Sequence, residues 1–276
     1  MNYASEGRIE RRFAQIKAAG RGGLITFISA GDPDFDTSLA LLNKLPDAGA
    51  DIVELGMPFS DPMADGPAIQ AANLRALAAG MTVQRTLEMV RLFRESNHHT
   101  PVVLMGYYNP IYRFGSRTFL RQAAKVGVDA LIIVDLPPEE DVELCDLAIP
   151  AGLRWIRLAT PTTLGTRLPQ VVSKASGFLY YVSIAGITGT GSAQPQDISA
   201  AIRRLREHCQ LPIGVGFGIK TPQQVEAINC DADAAVVGSA IVNKIQNCLD
   251  EKGQAQPDLV EQVIRFVASL AAPLSS

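Results

Sequence analysis

The chain has 276 residues, of which 47% are hydrophobic and 19% charged, with a formal net charge of -3. That composition can bury a full core and excludes a disordered chain, and the charge gives no electrostatic reason to expect nucleic acid or an anionic membrane as partner. No apolar run approaches the roughly 18 residues of a membrane-spanning helix, and the length suits a large α/β barrel in one domain, 1–276.

At the start of the chain, Arg8, Arg11 and Arg12 are interrupted by Glu6 and Glu10 and no apolar stretch follows, so this is not read as a signal peptide. Cys145, Cys209, Cys230 and Cys248 show no CxxC spacing, and His98, His99 and His208 lie in or beside polar segments. Small buried thiols in a reducing cytoplasm are expected, with no metal site. Ile9, Phe13 and Ile16 recur at helical spacing, predicting an amphipathic helix over 7–19 that glycines 20, 22 and 23 end. Leu24–Ala30 reads as a strand. Asp36 is a cap candidate for a helix over 37–48, which Pro46 should kink or shorten. Ile52–Leu55 is the second strand, and two helices, 68–79 and 83–96, follow it with Thr82 as a cap.

From there strands and helices alternate regularly. Strands are expected at Pro101–Tyr107, Ala130–Asp135, Arg154–Ala159, Phe178–Ser183, Leu211–Val215 and Ala234–Val237. Between them come a turn at Asn109-Pro110 and a helix over 117–126, a helix from Glu139 to Ala148, one ending near Ser173, one from Asp197 to Glu207 and one opened by Thr221-Pro222. A helix over 240–249, a polar linker and a last helix over 258–270 complete the chain. The strands are too continuously apolar to face water on one side. A weak repeat, Ala48-Gly49-Ala50-Asp51, Val126-Gly127-Val128-Asp129 and Cys230-Asp231-Ala232-Asp233, precedes three of them as a tight turn. Eight such units predict an α/β fold, a (β/α)8 TIM barrel with an extra N-terminal helix and extra helices after strands 2 and 8. A doubly wound open sheet is the alternative.

In such barrels chemistry sits at the C-terminal ends of the strands. That filter keeps Glu54, Asp61, Asp65, Tyr107, Asn109, Asp135, Tyr180, Tyr181, Ser183, Thr188, Lys220 and Ser239. Glu54 to Pro67 is the densest stretch, with three carboxylates and prolines 58, 62 and 67 that exclude a strand or helix interior. Glu54, set among apolar neighbours, should have a raised pKa fit for proton transfer near neutrality, and Asp65 in its more polar loop should stay ionised. The structural alternative is that Asp61 and Asp65 only cap a helix and Glu54 makes a salt bridge. Three glycine-rich strand ends, Gly186-Ile187-Thr188-Gly189, Gly216-Phe217-Gly218 and Gly238-Ser239, suit a phosphate held by backbone N–H groups, or are only tight βα turns. The loop Ala185–Gln194 reads as a mobile lid or as an ordinary flexible loop. With no nucleophile elbow and no dinucleotide fingerprint, a lyase or isomerase run by acid–base groups on a phosphorylated substrate is the chemical reading.

The stretch Glu54–Pro67 resembles the signature of the tryptophan synthase alpha chain family. Further matches are Phe27–Pro33, Tyr107–Pro110, Asp135–Pro137, Gly186–Gly189, Gly216–Ile219 and Gly238–Ile241, in order over nearly the whole chain. The resemblance implies a (β/α)8 barrel and reversible retro-aldol cleavage of indole-3-glycerol phosphate to indole and glyceraldehyde 3-phosphate. It implies Glu54 as the acid–base and Asp65 as the acceptor of the indole N–H. Phe27, Ile69, Tyr107, Tyr180, Thr188 and Phe217 would bind substrate, and Gly189, Gly218, Gly238 and Ser239 would hold the phosphate. Pro58, Asp61, Asn109, Asp135 and Pro137 would face a beta chain in an alpha2beta2 heterotetramer. Pyridoxal phosphate would belong to that partner, leaving this chain without a cofactor. Ser29, Ile187 and Thr190-Gly191 depart from the frequent Thr, Val and lid Arg of the family. The rival readings are a Schiff-base aldolase using Lys220 and a catalytically silent subunit that activates a partner.

Overall fold

The computed structural model describes residues 7–183, 195–216 and 218–274. Nine strands form one wholly parallel sheet: β1 (Gly23–Ser29), β2 (Ile52–Gly56), β3 (Val102–Gly106), β4 (Ala130–Ile133), β5 (Arg154–Trp155), β6 (Arg157–Ala159), β7 (Leu179–Val182), β8 (Ile213–Gly216) and β9 (Ala234–Val237). Their order is β5-β4-β3-β2-β1-β9-β8-β7-β6. The two ends of that order, β5 and β6, are halves of one stretch joined at Ile156, whose N–H donates to Leu131 at 3.0 Å. The sheet therefore closes on itself as a TIM barrel of eight staves, the fifth divided at Ile156.

Strand alternation sorts the side chains into two layers. Ile25, Ile52, Val103, Ile132, Phe178 and Val236 fill the barrel, while Leu24, Val53, Leu104, Leu131 and Val237 pack outward against the helices. The helix Arg8–Ala18 plugs one end, inserting Ile9, Phe13 and Ile16 into the inner cluster, with the Phe13 and Phe178 rings 5.8 Å apart. Each such buried side chain stabilises the closure by about 1.5–3 kcal/mol. Paired helices follow β2 (Pro67–Ala78 and Val83–Ser96) and β9 (Ser239–Gln246 and Leu259–Ala271), as the pattern predicts.

The repeat before three strands has a physical basis. Asp51, Asp129 and Asp233 stand just before β2, β4 and β9, and each reaches back to the neighbouring stave. Their carboxylates accept from the backbone N–H of Leu24 (3.0 Å), Val102 (2.8 Å) and Ile213 (2.8 Å), and their own N–H groups donate to the carbonyls of the same residues. Each aspartate also meets arginine. Arg21 binds Asp51 in a fork at 2.7 and 2.8 Å, Arg94 and Arg8 bind Asp129 at 2.7 and 2.9 Å, and Arg206 lies 3.1 Å from Asp233.

Several local expectations are corrected. Asn109-Pro110 is not a turn but the first part of the helix Tyr108–Phe114, where a proline loses no hydrogen bond because first-turn N–H groups have no intrahelical acceptor. The helix expected from Glu139 to Ala148 is a 3-10 segment, Pro138–Glu143, and one α-turn, Cys145–Ala148. The helix after β1 runs over Phe35–Lys44, ends before Pro46, and is capped by Asp34 rather than Asp36, with Thr37 N–H donating to Asp34 at 2.8 Å. Cys230 is exposed, unlike the other three cysteines.

Candidate active site

The C-terminal ends of the strands open into a cavity of about 830 Å³. Ile52 points into the barrel, and two residues later Glu54 does the same, beside Phe27 of β1 in register. Glu54 is 1% exposed and its Oε1 has no hydrogen-bond partner. Ionising it there would strand a charge away from water, and burial pushes its pKa up to about 8. At neutral pH it is a protonated acid facing a cavity, as its apolar flanks predict.

Asp65 lines the same cavity from the loop after β2. The loop folds over the cavity and burial raises the Asp65 pKa to about 6, against hydrogen bonds from the Tyr107 phenol and the Asn73 amide that pull it down. The order nevertheless holds, with Asp65 ionising about two pH units before Glu54. Tyr107 does not line the cavity. It stands behind Asp65, 3% exposed, accepting from Ala64 N–H at 3.1 Å with its ring 5.4 Å from Phe59. Burial and the Asp65 charge hold its phenol protonated, which keeps it a donor.

Phe27, Ile69 and Tyr180 line the cavity as expected. Gly56 and Gly216 make room for two of these rings. A Cβ at Gly56 would lie 2.6 Å from Phe27 Cζ, and one at Gly216 would lie 2.3 Å from the Tyr180 hydroxyl. Burial, then the neighbouring Glu54, raises the Tyr180 phenol well above its ordinary value, so it stays neutral. Across the cavity, Gly218, with φ of 80°, and Gly238-Ser239 bring backbone to the wall. Gly238 precedes the helix Ser239–Gln246, whose N-terminus has no side-chain cap, so its first N–H groups and dipole are available to an anion. Lys220 is exposed at the same rim. Thr188, Gly189, Phe217 and the loop Ala185–Gln194 lie outside the described residues.

Of the positions expected to face a partner, Asp61, Asn109, Asp135 and Pro137 are exposed, and Asp135 accepts from Tyr108 N–H at 2.8 Å, holding the helix Tyr108–Phe114 in place. Pro58 is buried. Ser183 is also committed to structure, donating to Gly216 O at 2.9 Å. Among the described residues, Asp141, Cys145 and Asp146 form a group with metal-ligand atoms close together. Lys174 Nζ lies 2.5 Å from Asp146 and 3.6 Å from Asp141, Arg157 pairs with Asp141, and burial pushes the Cys145 thiol up to about 12. Cations already fill that place.

Sequence reading missed Asn73, a 3% exposed amide bonded to Asp65, and the buried pair Arg157–Asp141. A polar residue on the alanine-rich face of a helix was the available signal for the first.

Residues 13–271 match the family described as tryptophan synthase alpha chain. Solved structures agree. A tryptophan synthase subunit alpha from Legionella pneumophila is 36% identical with a TM-score of 0.89, the match covering 98% of this chain and 99% of that one. A chain of tryptophan synthase from M. tuberculosis, in an aminoacrylate-bound form, is 30% identical with a TM-score of 0.85 over 97% and 99%. A chain of the tryptophan synthase complex from Pyrococcus furiosus is 35% identical with a TM-score of 0.81 over 91% and 98%. With the family match and these solved structures in agreement, this chain belongs to the tryptophan synthase alpha chain family.

Proposed function

We propose that the chain catalyses the family's alpha reaction, the reversible retro-aldol cleavage of indole-3-glycerol phosphate to indole and glyceraldehyde 3-phosphate, and so acts as a carbon–carbon lyase. The observation that carries this reading is the pair of carboxyls in one cavity, Glu54 protonated at neutral pH and Asp65 ionised. Glu54 delivers a proton to C3 of the indole ring while Asp65 accepts the indole N–H and offsets the positive charge growing on nitrogen. The resulting Glu54 carboxylate takes the proton of the glycerol hydroxyl next to that carbon. As that hydroxyl becomes the aldehyde, the bond between ring and glycerol breaks and its electrons return to the indole. No net proton is consumed, and Glu54 ends protonated.

Phe27 and Ile69 bracket the apolar ring, Tyr180 lies toward the glycerol, and Gly218, Gly238 and Ser239, with Gly189, take the phosphate. Thr188 and Phe217 complete the substrate contacts. Asp61, Asn109, Asp135 and Pro137, with Pro58, face a beta chain in an alpha2beta2 assembly that receives the indole and carries the pyridoxal phosphate. This chain would need no cofactor of its own and would work as one barrel domain in the cytoplasm. Among the described residues no helix is long and apolar enough to cross a membrane.

The test is indole release from indole-3-glycerol phosphate, with and without added beta chain. Glu54→Gln should abolish release while affinity for glycerol 3-phosphate stays within about a few-fold, because the amide fills the same space but cycles no proton. Near wild-type turnover by that variant would overturn the mechanism.

A further inference from the structure

We propose that Asn73 is a positioning residue for the alpha reaction, holding Asp65 ionised and aimed into the cavity through a side-chain amide that Ser29 orients. The proposal rests on the role given to Asp65 above.

Asn73 lies within the helix Pro67–Ala78, among buried positions otherwise taken by Ala72 and Ala76. It is a poorer helix former than those alanines, and at 3% exposure its amide must be bonded inside the protein. Both ends are. Nδ2 donates to Asp65 Oδ2 at 3.2 Å, and Oδ1 accepts from the Ser29 hydroxyl at 3.3 Å. An ionised carboxylate only accepts, so the NH2 end is the one turned toward it, and the Ser29 hydroxyl, which can donate or accept, donates to the amide oxygen.

The same helix is fastened at a second point, where Arg75 grips the fully buried Asp32 carboxylate at 2.7 and 3.0 Å. Gln70 on that helix donates from Nε2 to the Asp65 carbonyl at 2.8 Å. One helix, pinned to the end of β1 and the turn behind it, thus holds both backbone and side chain of Asp65.

Among the charged and titratable groups around Asp65, Tyr107 is a second donor, brought in by a different element. Tyr107 donates from the end of β3, with Asp135 beyond it, while Glu54 shares the cavity from β2 and Asp61 is exposed on the loop. Arg75 is committed to Asp32. Asn73 is the neutral donor on the helix side of a largely desolvated carboxylate. Without it, Asp65 takes up a proton nearer neutrality, and the protonated fraction no longer offsets charge on the indole nitrogen.

The experiment uses the full chain with its beta partner. Asn73→Ala should lower kcat by about twofold at pH 7 and about fivefold at pH 6, the loss of ionised Asp65 that a rise of about one pH unit from about 6 gives, with KM within a few-fold. The acidic limb of its pH profile should rise by about one pH unit. Carbon-13 NMR of aspartate-labelled chain, with the Asp65 signal identified by its loss in Asp65→Asn, should show the same rise without any turnover. Ser29→Ala should move both readouts in the same direction by less. A folded Asn73→Ala with unchanged Asp65 titration and unchanged acidic limb overturns the proposal. If Asn73→Ala does not fold, an unchanged titration in Ser29→Ala overturns it instead. Should the titration move in a protein that releases no indole, the hydrogen-bond role stands and the reaction assignment alone falls.

Discussion

Replacing Glu54 by Gln tests the electrostatics of the site without any substrate. The native carboxyl titrates near 8 against an ordinary value of 4.5, because burial disfavours its charge. Between those values the native state binds more protons than the unfolded one, so the wild-type protein loses stability as the pH rises through the interval. Below about 4.5 both states are protonated and the burial costs nothing in this respect; above about 8 the full cost is present. The amide of the variant cannot ionise and escapes the loss. Urea unfolding of both proteins from pH 5 to pH 9 cancels every titration they share. Their difference should shift in favour of the variant by about 2–3 kcal/mol between pH 5 and pH 7 and by about 4 kcal/mol by pH 9. A constant offset, from the amide's own unmet hydrogen bonds, can accompany this and carries no slope. A difference that stays flat with pH would refute the argument that Glu54 is buried without a partner.

Two further outcomes follow from geometry. The proposed mechanism needs Asp65 ionised and Glu54 protonated, so kcat/KM should trace a bell with limbs near 6 and 8, and Asp65→Asn should remove the acidic limb from whatever activity remains. At the plugged end, Asp129→Ala would leave Arg94 buried without its carboxylate and the Val102 N–H unbonded. A loss of about 3–5 kcal/mol in urea unfolding is expected, with indole release at permissive temperature unchanged. A loss below about 1 kcal/mol would mean that water replaces the carboxylate there.

The barrel was legible because its staves are short, continuously apolar and alternate with helical segments, a pattern that few other folds share. Glu54 was legible for the same reason, since a carboxylate inside such a run has nowhere to go but the interior. Asp65 was legible as the carboxyl that ionises first, but its burial was not, because loop polarity says nothing of what folds over the loop. Its neighbours Asn73 and Tyr107 are brought in by a helix and a separate strand, and Ser29 lies 44 residues from Asn73. Tyr107 looked like a wall residue because it ends a strand, yet Ala64 and Asp65 draw its hydroxyl behind the wall. The helix Tyr108–Phe114 was hidden by a proline that is harmless only in the first turn.

The three aspartates that reach back across the strand starts have a consequence for how the molecule can vary. Each joins two staves, β1 to β2, β3 to β4 and β8 to β9, by a reciprocal pair of bonds to a single residue. A slip of one residue along any of these pairs would carry the carboxylate away from its N–H, so alignment is set at the end remote from the chemistry. The loops at the catalytic rim are thereby relieved of that duty. They can lengthen, shorten or be exchanged at an entropic cost that grows only slowly with loop length, while Glu54 keeps its place beside Phe27. Substrate and partner preference can drift at one end of the barrel because the other end counts the residues.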